Sequence, residues 1–163
     1  SGGAAAVIQA DMSRVAEAQR LVQETVQQFH RLDILVNNAG RFIPKKLVET
    51  TETEFDAILA LNAKGPYFAM QAAAKALAAG PVVDEGRLAQ ELAPRGITVN
   101  TVLPGFTDTG VLTEPYREMG LQSSPFKRLG LPSDVADVVA FLVSEQARWL
   151  TGQVIQAGGG LVM

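Results

Sequence analysis

Cysteine is absent from the chain and histidine occurs once, which removes several classes of chemistry. Without cysteine there are no disulfides, no thiolate metal ligands and no cysteine nucleophile. The single histidine, His30, has no cluster of acids around it in the sequence, so we predict no metal site. A Ser-His-Asp triad would need His30 as its base. Acid–base or redox chemistry therefore needs Tyr, Lys, Ser or Asn side chains, or a borrowed cofactor.

Basic blocks and long apolar runs are also lacking. The formal net charge is −3, so we expect no nucleic-acid partner. No apolar run is long enough for a membrane span, and the first residues lack the pattern of a signal peptide. With the absence of cysteine, this predicts a cytoplasmic protein. The composition, 47% hydrophobic and 19% charged over 163 residues, is that of a globular chain, and we predict a single domain over residues 1–163.

Along the chain, the spacing of apolar residues alternates between that of a strand and that of a helix. This order of elements is typical of a parallel sheet covered on both faces. Strands are predicted at four places: residues 5–11, 33–37, 97–103 and 154–157. Ser13 is predicted to cap the helix after the first strand. His30 is predicted to end that helix in a left-handed conformation, which His tolerates, and we prefer this role to a catalytic one.

The next helix is predicted from a capping box formed by Thr51 and Glu54. Its apolar stripe, which we expect to face the core, consists of Phe55, Ile58, Leu59 and Asn62. Gly65-Pro66 interrupts this helix, and an alanine-rich helix follows. The small side chains of that helix are compatible with an oligomer interface.

The second half of the chain continues the alternation of helices and strands. A helix is predicted at residues 84–93, closed by Arg95-Gly96. Residues 107–131 show little periodicity and are predicted to form an irregular functional loop. Ser133 is predicted to cap the last helix, whose buried face is Val135, Val138, Val139 and Leu142.

Several side chains at predicted strand ends are suited to a ligand, because open α/β sheets bind ligands beyond the carboxyl ends of their strands. Asp11 can accept a hydrogen bond from an adenine amino group, although taken alone it is better explained as a helix cap. The next strand ends in Asn37-Asn38-Ala39-Gly40. Small residues there let a ligand lie against the backbone, and the amides can tie loops together, but a simple turn has the same composition.

Asn62 and the turn at residues 104–109 are the other candidates. A buried amide without partners costs on the order of 1–3 kcal/mol, so Asn62 needs a partner. It is either a satisfied core Asn that locks the kink before Gly65-Pro66, or an Asn that holds a water in a proton relay. In the turn, Pro104-Gly105 can hold a ring system against the backbone, and the hydroxyls of Thr107 and Thr109 can bind an amide or a phosphate. The alternative is a surface turn.

Taken in order, these features resemble the short-chain dehydrogenase/reductases. The resemblance rests on Asp11, the NNAG run, Asn62 within LNAKG, the ITVN strand, the PGFTDT turn and the tail RLGLPSDVADVVAFLVSEQARWLTGQVIQAGGG. It implies an α/β fold with a Rossmann-type doubly wound parallel sheet, NAD or NADP as cofactor, and reversible oxidation of an alcohol to a carbonyl. A homotetramer is also implied.

The resemblance assigns roles to individual residues. Asp11 and Met12 would lie at the adenine, and Asn37, Asn38, Ala39 and Gly40 along the adenosine side. Asn62 would be the Asn of the catalytic tetrad. The nicotinamide end would be held by Pro104, Gly105, Thr107 and Thr109. Gly158 departs from the family pattern, because an Asp is common at that position.

Parts of the family pattern are absent from the sequence: the glycine-rich phosphate turn, and the Ser with the Tyr-x-x-x-Lys pair whose Tyr is the general acid/base. Tyr67 is followed four residues later by Gln71, and Tyr116 by Gly120, so neither replaces that pair. The internal gap falls near Gly80-Pro81. Of the family's strand order 3-2-1-4-5-6-7, only the third, fourth, sixth and seventh strands remain. The sheet is therefore expected to be incomplete, and the intact protein to have roughly 250 residues.

The leading interpretation is an oxidoreductase that transfers a hydride between nicotinamide and a small carbonyl or secondary alcohol substrate. Small carbonyl compounds, secondary alcohols and 3-oxoacyl thioesters are the expected substrates, with residues 111–127 as a mobile lid. The alternative is a truncated, catalytically inactive family member that acts as a binding or assembly subunit. The residue that selects NAD or NADP follows the second strand of the family's sheet, which this sequence lacks.

Overall fold

The computed structural model describes residues 3–77 and 85–161. The helices are α1 (Val15–Phe29), α2 (Glu52–Leu59), α3 (Gly65–Leu77), α4 (Glu85–Leu92), α5 (Glu114–Ser123) and α6 (Pro132–Leu142). The strands are β1 (Asn100–Pro104) and β2 (Gln153–Ala157). The chain forms two compact units, Ser1–Val82 and Val83–Met163. The single domain stays a prediction.

The core of the first unit is the contact between α1 and α3. Ala18 and Val22 of α1 are buried against Ala69 and Ala73 of α3. The alanine side chains allow the two helices to approach closely, which buries Ala18 and Val22 of α1. Two alanines of the alanine-rich helix therefore serve a contact within the unit. Its use in an oligomer interface stays a prediction.

The two ends of α1 differ in how well the sequence predicted them. His30 has φ 58° and its backbone N–H donates to the Val26 carbonyl at 2.8 Å, which confirms the left-handed termination. The prediction for Ser13 was wrong. The N-cap is Arg14, and the Ser13 hydroxyl donates instead to Asp11 Oδ1 at 2.7 Å.

The capping box of α2 is confirmed: Glu54 N–H donates to Thr51 Oγ1 at 3.3 Å, and Thr51 N–H to Glu54 Oε2 at 3.1 Å. The apolar stripe of α2 does not face a core, contrary to our expectation. Phe55 is 53% exposed, and no residue of this helix is buried. The physical reason is that no described element of this unit packs across the stripe.

The interruption predicted at Gly65-Pro66 is present but lies a few residues earlier. A π-helical turn, Ala60–Lys64, joins α2 to α3, and α3 begins at Gly65. A Cβ on Gly65 would lie 1.8 Å from the Met12 carbonyl oxygen, so only glycine allows the start of α3 to pass this close to the backbone before α1.

The strands predicted at residues 5–11 and 33–37 are not formed in the described structure. Both segments belong to no β-ladder. Val7 is 99% exposed, and Ile34 and Val36 are about half exposed. A ladder needs a partner strand for its N–H and C=O groups, and the sequence lacks the neighbours that these two segments have in the family's sheet order.

The second unit contains the one sheet of the described residues. β1 and β2 pair in parallel, from Asn100 opposite Gln153 to Pro104 opposite Ala157. The Asn100 side chain fixes the start of this register, because its Nδ2 donates to the Leu150 carbonyl at 2.9 Å and its Oδ1 accepts from Gln153 N–H at 3.2 Å. Both strands were predicted, although β1 begins three residues later than expected.

The loop predicted over residues 107–131 was partly wrong, because it contains α5. Thr113 and Pro115 provide the start of α5: Pro115 lies in its first turn, and the Thr113 carbonyl accepts from the third and fourth residues beyond it. Apolar periodicity is weak in this helix, so the pattern hid it. Its one buried residue is Gly120.

The helices on either side of this region follow the prediction more closely. Gly96, at φ 70°, closes the turn after α4, as expected; the predicted first residue of that helix, 84, lies outside the described residues. Ser133 does not cap α6. The N-cap is Leu131, whose N–H donates to Asp134 Oδ2 at 2.7 Å, and Pro132 occupies the first helical position. The buried face of α6 is as predicted, with Leu142 buried and the three valines half-buried.

No helix within residues 3–77 and 85–161 combines the length and the apolarity that crossing a bilayer requires.

Candidate functional site

Most of the residues predicted to contact the adenosine part of a cofactor meet at one cleft of the first unit. The cleft has a volume of about 130 Å³. Its wall is mostly apolar with two side-chain amides, and consists of Met12, Leu21, Leu35, Val36, Asn37, Asn38, Ala39 and Pro66. An apolar wall with a few polar groups suits a flat, partly polar ring such as adenine. The residues present therefore fit this end of a dinucleotide.

The Asp11 side chain stabilises the turn that leads the chain into this cleft. Its Oδ1 accepts from the Ser13 N–H at 3.0 Å and from the Ser13 hydroxyl, and its Oδ2 lies 3.4 Å from Arg14 Nε. These hydrogen bonds from Ser13, together with the nearby Arg14 charge, hold the pKa of Asp11 below its usual value. The carboxylate is therefore ionised at neutral pH and shapes the turn that carries Met12. Contact with an adenine amino group stays a prediction.

Asn62 is paired with the backbone of Arg41. Arg41 N–H donates to Asn62 Oδ1 at 2.8 Å, and Asn62 Nδ2 donates to the Arg41 carbonyl at 2.8 Å. The amide thus acts like one step of a β-ladder and anchors the π-helical turn to the segment after the NNAG run. Gly40 lies beside it, since a Cβ there would be 3.7 Å from Asn62 Oδ1.

This pairing bears on the two roles considered for Asn62. The side chain has its partners and locks the break between α2 and α3, as the structural interpretation expects. It is exposed rather than buried. A π-helical turn is nonetheless frequent at functional sites, so the place of Asn62 in a proton relay stays a prediction.

In the second unit, the turn at residues 105–109 lies against the end of β2. A Cβ on Gly105 would lie 2.8 Å from Gly158 Cα, so the two backbones touch. A Cβ on Gly158 would lie 3.3 Å from the Leu161 carbonyl oxygen, so the position where the family often has an Asp is confined here. Pro104 is the last residue of β1 and pairs with Ala157.

The threonines of this turn differ in their surroundings. Thr107 is half-buried, its hydroxyl donates to the Gly105 carbonyl at 3.0 Å, and it forms an isolated parallel bridge with Gly130. Because the hydroxyl hydrogen is used, Thr107 can offer a ligand only an acceptor, which suits a carboxamide N–H. Thr109 is exposed. The nicotinamide role of both stays a prediction.

A cleft of about 190 Å³ opens beside this turn in the same unit. Gly105 and Phe106 form one side, and the residues after α5, with Phe126 and Arg128, form another. Arg128 is paired with Asp134 at 2.6 Å. Hydrogen bonds from Arg128 and from the Leu131 N–H lower the pKa of Asp134 to about 2.

Several residues that line or position the candidate site were not predicted from the sequence. Arg41, the partner of Asn62, acts through its backbone, which no side-chain pattern reveals. Leu21 and Pro66 line the first cleft but read as ordinary helix residues. Arg117 pairs with Asp108 across nine residues of turn and helix, a spacing that carries no periodic signal.

Comparison with known proteins assigns the family. Residues 1–84 match the family model described as short chain dehydrogenase, and residues 86–162 match that of enoyl-(acyl carrier protein) reductase. The chain is similar to an uncharacterized oxidoreductase of Methylorubrum extorquens, at 40% identity over 99% of this chain and 78% of the relative. A 3-oxoacyl-[acyl-carrier-protein] reductase of Staphylococcus aureus is 35% identical over 96% of this chain and 76% of its own length. The chain belongs to the short-chain dehydrogenase/reductase family.

Solved structures agree with this assignment. A short-chain dehydrogenase/reductase of Serratia marcescens, a double mutant, has a TM-score of 0.83 at 28% identity, covering 94% of this chain and 75% of that one. A blue fluorescent protein from a metagenomic library, solved in complex with NADPH, has a TM-score of 0.84 at 27% identity, covering 96% and 75%. The predicted Rossmann-type α/β fold is thus confirmed, with the sheet of the described residues reduced to two strands.

The alignments also agree with the expected internal gap. The match to the Methylorubrum relative runs over 194 residues, more than the 163 of this chain, so that relative has residues inside the matched span that lack a counterpart here. The two family models meet at residues 84 and 86, next to Gly80-Pro81. Between Asn62 and Asn100 the sequence contains no Tyr-x-x-x-Lys pair.

Proposed function

We propose that this chain is an NAD- or NADP-dependent oxidoreductase whose substrate is a small carbonyl compound or secondary alcohol. The observation that carries the proposal is the first-unit cleft, where Met12, Asn37, Asn38 and Ala39 converge as expected for an adenosine site. When bound, the cofactor would supply or accept the hydride. Family membership and a relative solved with NADPH support this reading.

The chain's own residues would bind and orient. The amides of Asn37 and Asn38 would hold the adenosine part, while Met12 and Ala39 exclude water from its ring. Thr107 would present its hydroxyl oxygen to the carboxamide of the nicotinamide end. The Ser, Tyr and Lys that hold the carbonyl and move the proton in this family have no counterpart between Asn62 and Asn100.

The alternative is a binding or assembly subunit without turnover. The missing Tyr-x-x-x-Lys pair favours it, because the Tyr of that pair is the family's general acid/base. The oxidoreductase needs both NAD(P) binding and turnover, whereas the binding or assembly subunit shows no turnover.

The test therefore measures binding before turnover. Purified protein is titrated with NADH, NADPH and ADP-ribose by calorimetry, alongside Ala39→Leu, which fills the cleft, and Ala136→Leu, an exposed position on α6, as control. We expect Ala39→Leu to weaken binding at least about tenfold and Ala136→Leu to leave it unchanged. Absence of binding to all three ligands contradicts the oxidoreductase.

Turnover is then measured as the loss of the absorbance of reduced nicotinamide after a ketone from a panel, or a 3-oxoacyl thioester, is added. Oxidation of NADPH or NADH that depends on the added carbonyl supports the oxidoreductase. Tight binding without turnover by a chain of confirmed 17.3 kDa mass assigns the binding subunit instead.

A further inference from the structure

Helix α5 contacts the turn at residues 105–109 through two of its residues. Arg117 NH1 lies 2.7 Å from Asp108 Oδ1, and both side chains are only about one-third exposed. One helical turn later, Gly120 lies so close that a Cβ would be 2.8 Å from Phe106 Cβ and 2.6 Å from Leu129 Cδ2. Residues three apart share a helix face, so α5 presents one face to this turn.

The other side of the turn is held by backbone alone. Asp108 N–H donates to the Gly130 carbonyl at 2.8 Å, and Gly130 N–H donates to the Phe106 carbonyl at 2.8 Å. Asp108 is therefore held from both sides, by its backbone toward Gly130 and by its carboxylate toward α5. It lies between Thr107 and Thr109.

We propose that Arg117 is a positioning residue: through Asp108 it fixes the shape of the turn at residues 105–109 and so the placement of Thr107 and Thr109. The inference rests on the proposed function in that we assign this turn to the nicotinamide end. Arg117 itself would touch neither cofactor nor substrate. Its guanidinium N–H donates a charge-assisted hydrogen bond to the Asp108 carboxylate, and such a bond is stronger than a neutral one.

Glu114 also forms an ion pair with Arg117 and serves as a comparison for Asp108. It lies 3.7 Å from Arg117 Nε, on the same helix, but is 90% exposed. An exposed ion pair at that distance contributes little to stability, because water screens the two charges and an exposed side chain is mobile. Removing the Glu114 charge should therefore leave the turn unchanged, whereas removing that of Asp108 should not.

The first experiment needs no cofactor. Hydrogen exchange is followed at the amides of Asp108 and Gly130, with that of Gly152, bonded to the Val99 carbonyl at 2.7 Å in the same unit, as internal reference. We expect Arg117→Met to speed exchange at both turn amides about tenfold, and Arg117→Lys to restore part of the protection. Glu114→Gln and the distant Arg148→Met should stay within about twofold of wild type.

A double-mutant cycle with Asp108→Asn shows whether the effect passes through this carboxylate. The double variant should exchange no faster than either single variant, since both remove the same contact. Independent, multiplying effects would overturn the proposal. So would unchanged exchange at both turn amides in Arg117→Met.

The second experiment connects the turn to the cofactor. Arg117→Met should raise the Kd for NADH about fivefold and leave that for ADP-ribose, which lacks nicotinamide, within about twofold. Equal weakening of both ligands overturns the assignment of the turn to nicotinamide. If wild type binds neither ligand, the proposed function fails, while the exchange rates still decide whether Arg117 holds the turn.

Discussion

Replacing Gly65 by alanine tests the close approach between α3 and the turn before α1. In a helix alanine is about 1 kcal/mol more favourable than glycine, so propensity alone predicts a more stable protein. The structure predicts the reverse. The new Cβ would lie 1.8 Å from the Met12 carbonyl oxygen, and the two atoms must move apart to at least 3.0 Å. Because the contact is with backbone, no change of a side-chain rotamer can relieve it.

Forced displacement of this size resembles overpacking of a core, which typically costs 1–3 kcal/mol. Because the helix-propensity gain offsets part of it, we expect a net loss of about 2 kcal/mol at most, and about 1 kcal/mol as the central value. Met12 and Pro66 line the first cleft, so the same displacement should weaken binding of ADP-ribose.

The assay is urea unfolding followed by circular dichroism, in which about 1 kcal/mol corresponds to a midpoint lower by roughly 0.5 M. Gly40→Ala is the matched control, since its Cβ would meet only Asn62 Oδ1 at an ordinary 3.7 Å. Gly65→Ala with a midpoint equal to or above wild type would refute the close approach, and with it the reason for a glycine here.

Three further predictions concern helix ends and ion pairs. His30→Gly should stabilise the protein by about 0.5–1 kcal/mol in urea unfolding, because glycine adopts φ 58° without strain; a loss would contradict the left-handed termination. Glu54, hydrogen-bonded by Lys45, has its pKa lowered from 4.5 to about 2, so its stabilisation is complete above pH 4.5 and lost as the pH falls towards 2. In Glu54→Gln, the acid-induced decrease in the urea midpoint of the first unit should shrink. The pKa of Asp134, lowered from 3.8 to about 2 chiefly by the hydrogen bond from Arg128, acts in the same direction in the second unit. Asp134→Asn should therefore flatten the acid limb of unfolding followed by circular dichroism. An unchanged acid limb in either variant would count against its ion pair.

Short-range chemistry in this sequence was readable, because it depends on neighbours along the chain. The left-handed His30 and the capping box at Thr51 and Glu54 follow from local backbone preferences and are confirmed. The convergence of Met12 with the NNAG run on one cleft followed from the family pattern. Each of these features needs only residues that the chain contains.

The errors lie where the outcome depends on distant parts of the chain. The segments 5–11 and 33–37 have the composition of buried strands, yet composition supplies no partner strand, and they form no ladder in the described structure. The stripe of α2 is apolar but nothing described covers it, so Phe55 is exposed. Helix α5 was missed because its stability comes from Arg117 and from close packing at Gly120 rather than from an amphipathic pattern.

The segments 5–11 and 33–37 also lead us to expect self-association in concentrated solution. Neither segment is paired in a β-ladder of the described residues, and Val7, Ile34 and Val36 expose apolar side chains, so another chain can add to them by β-pairing. Light scattering should therefore show particles that grow with protein concentration. Val7→Lys, which places a charge at a fully exposed position of the first segment, should keep the solution clear at concentrations where wild type becomes turbid.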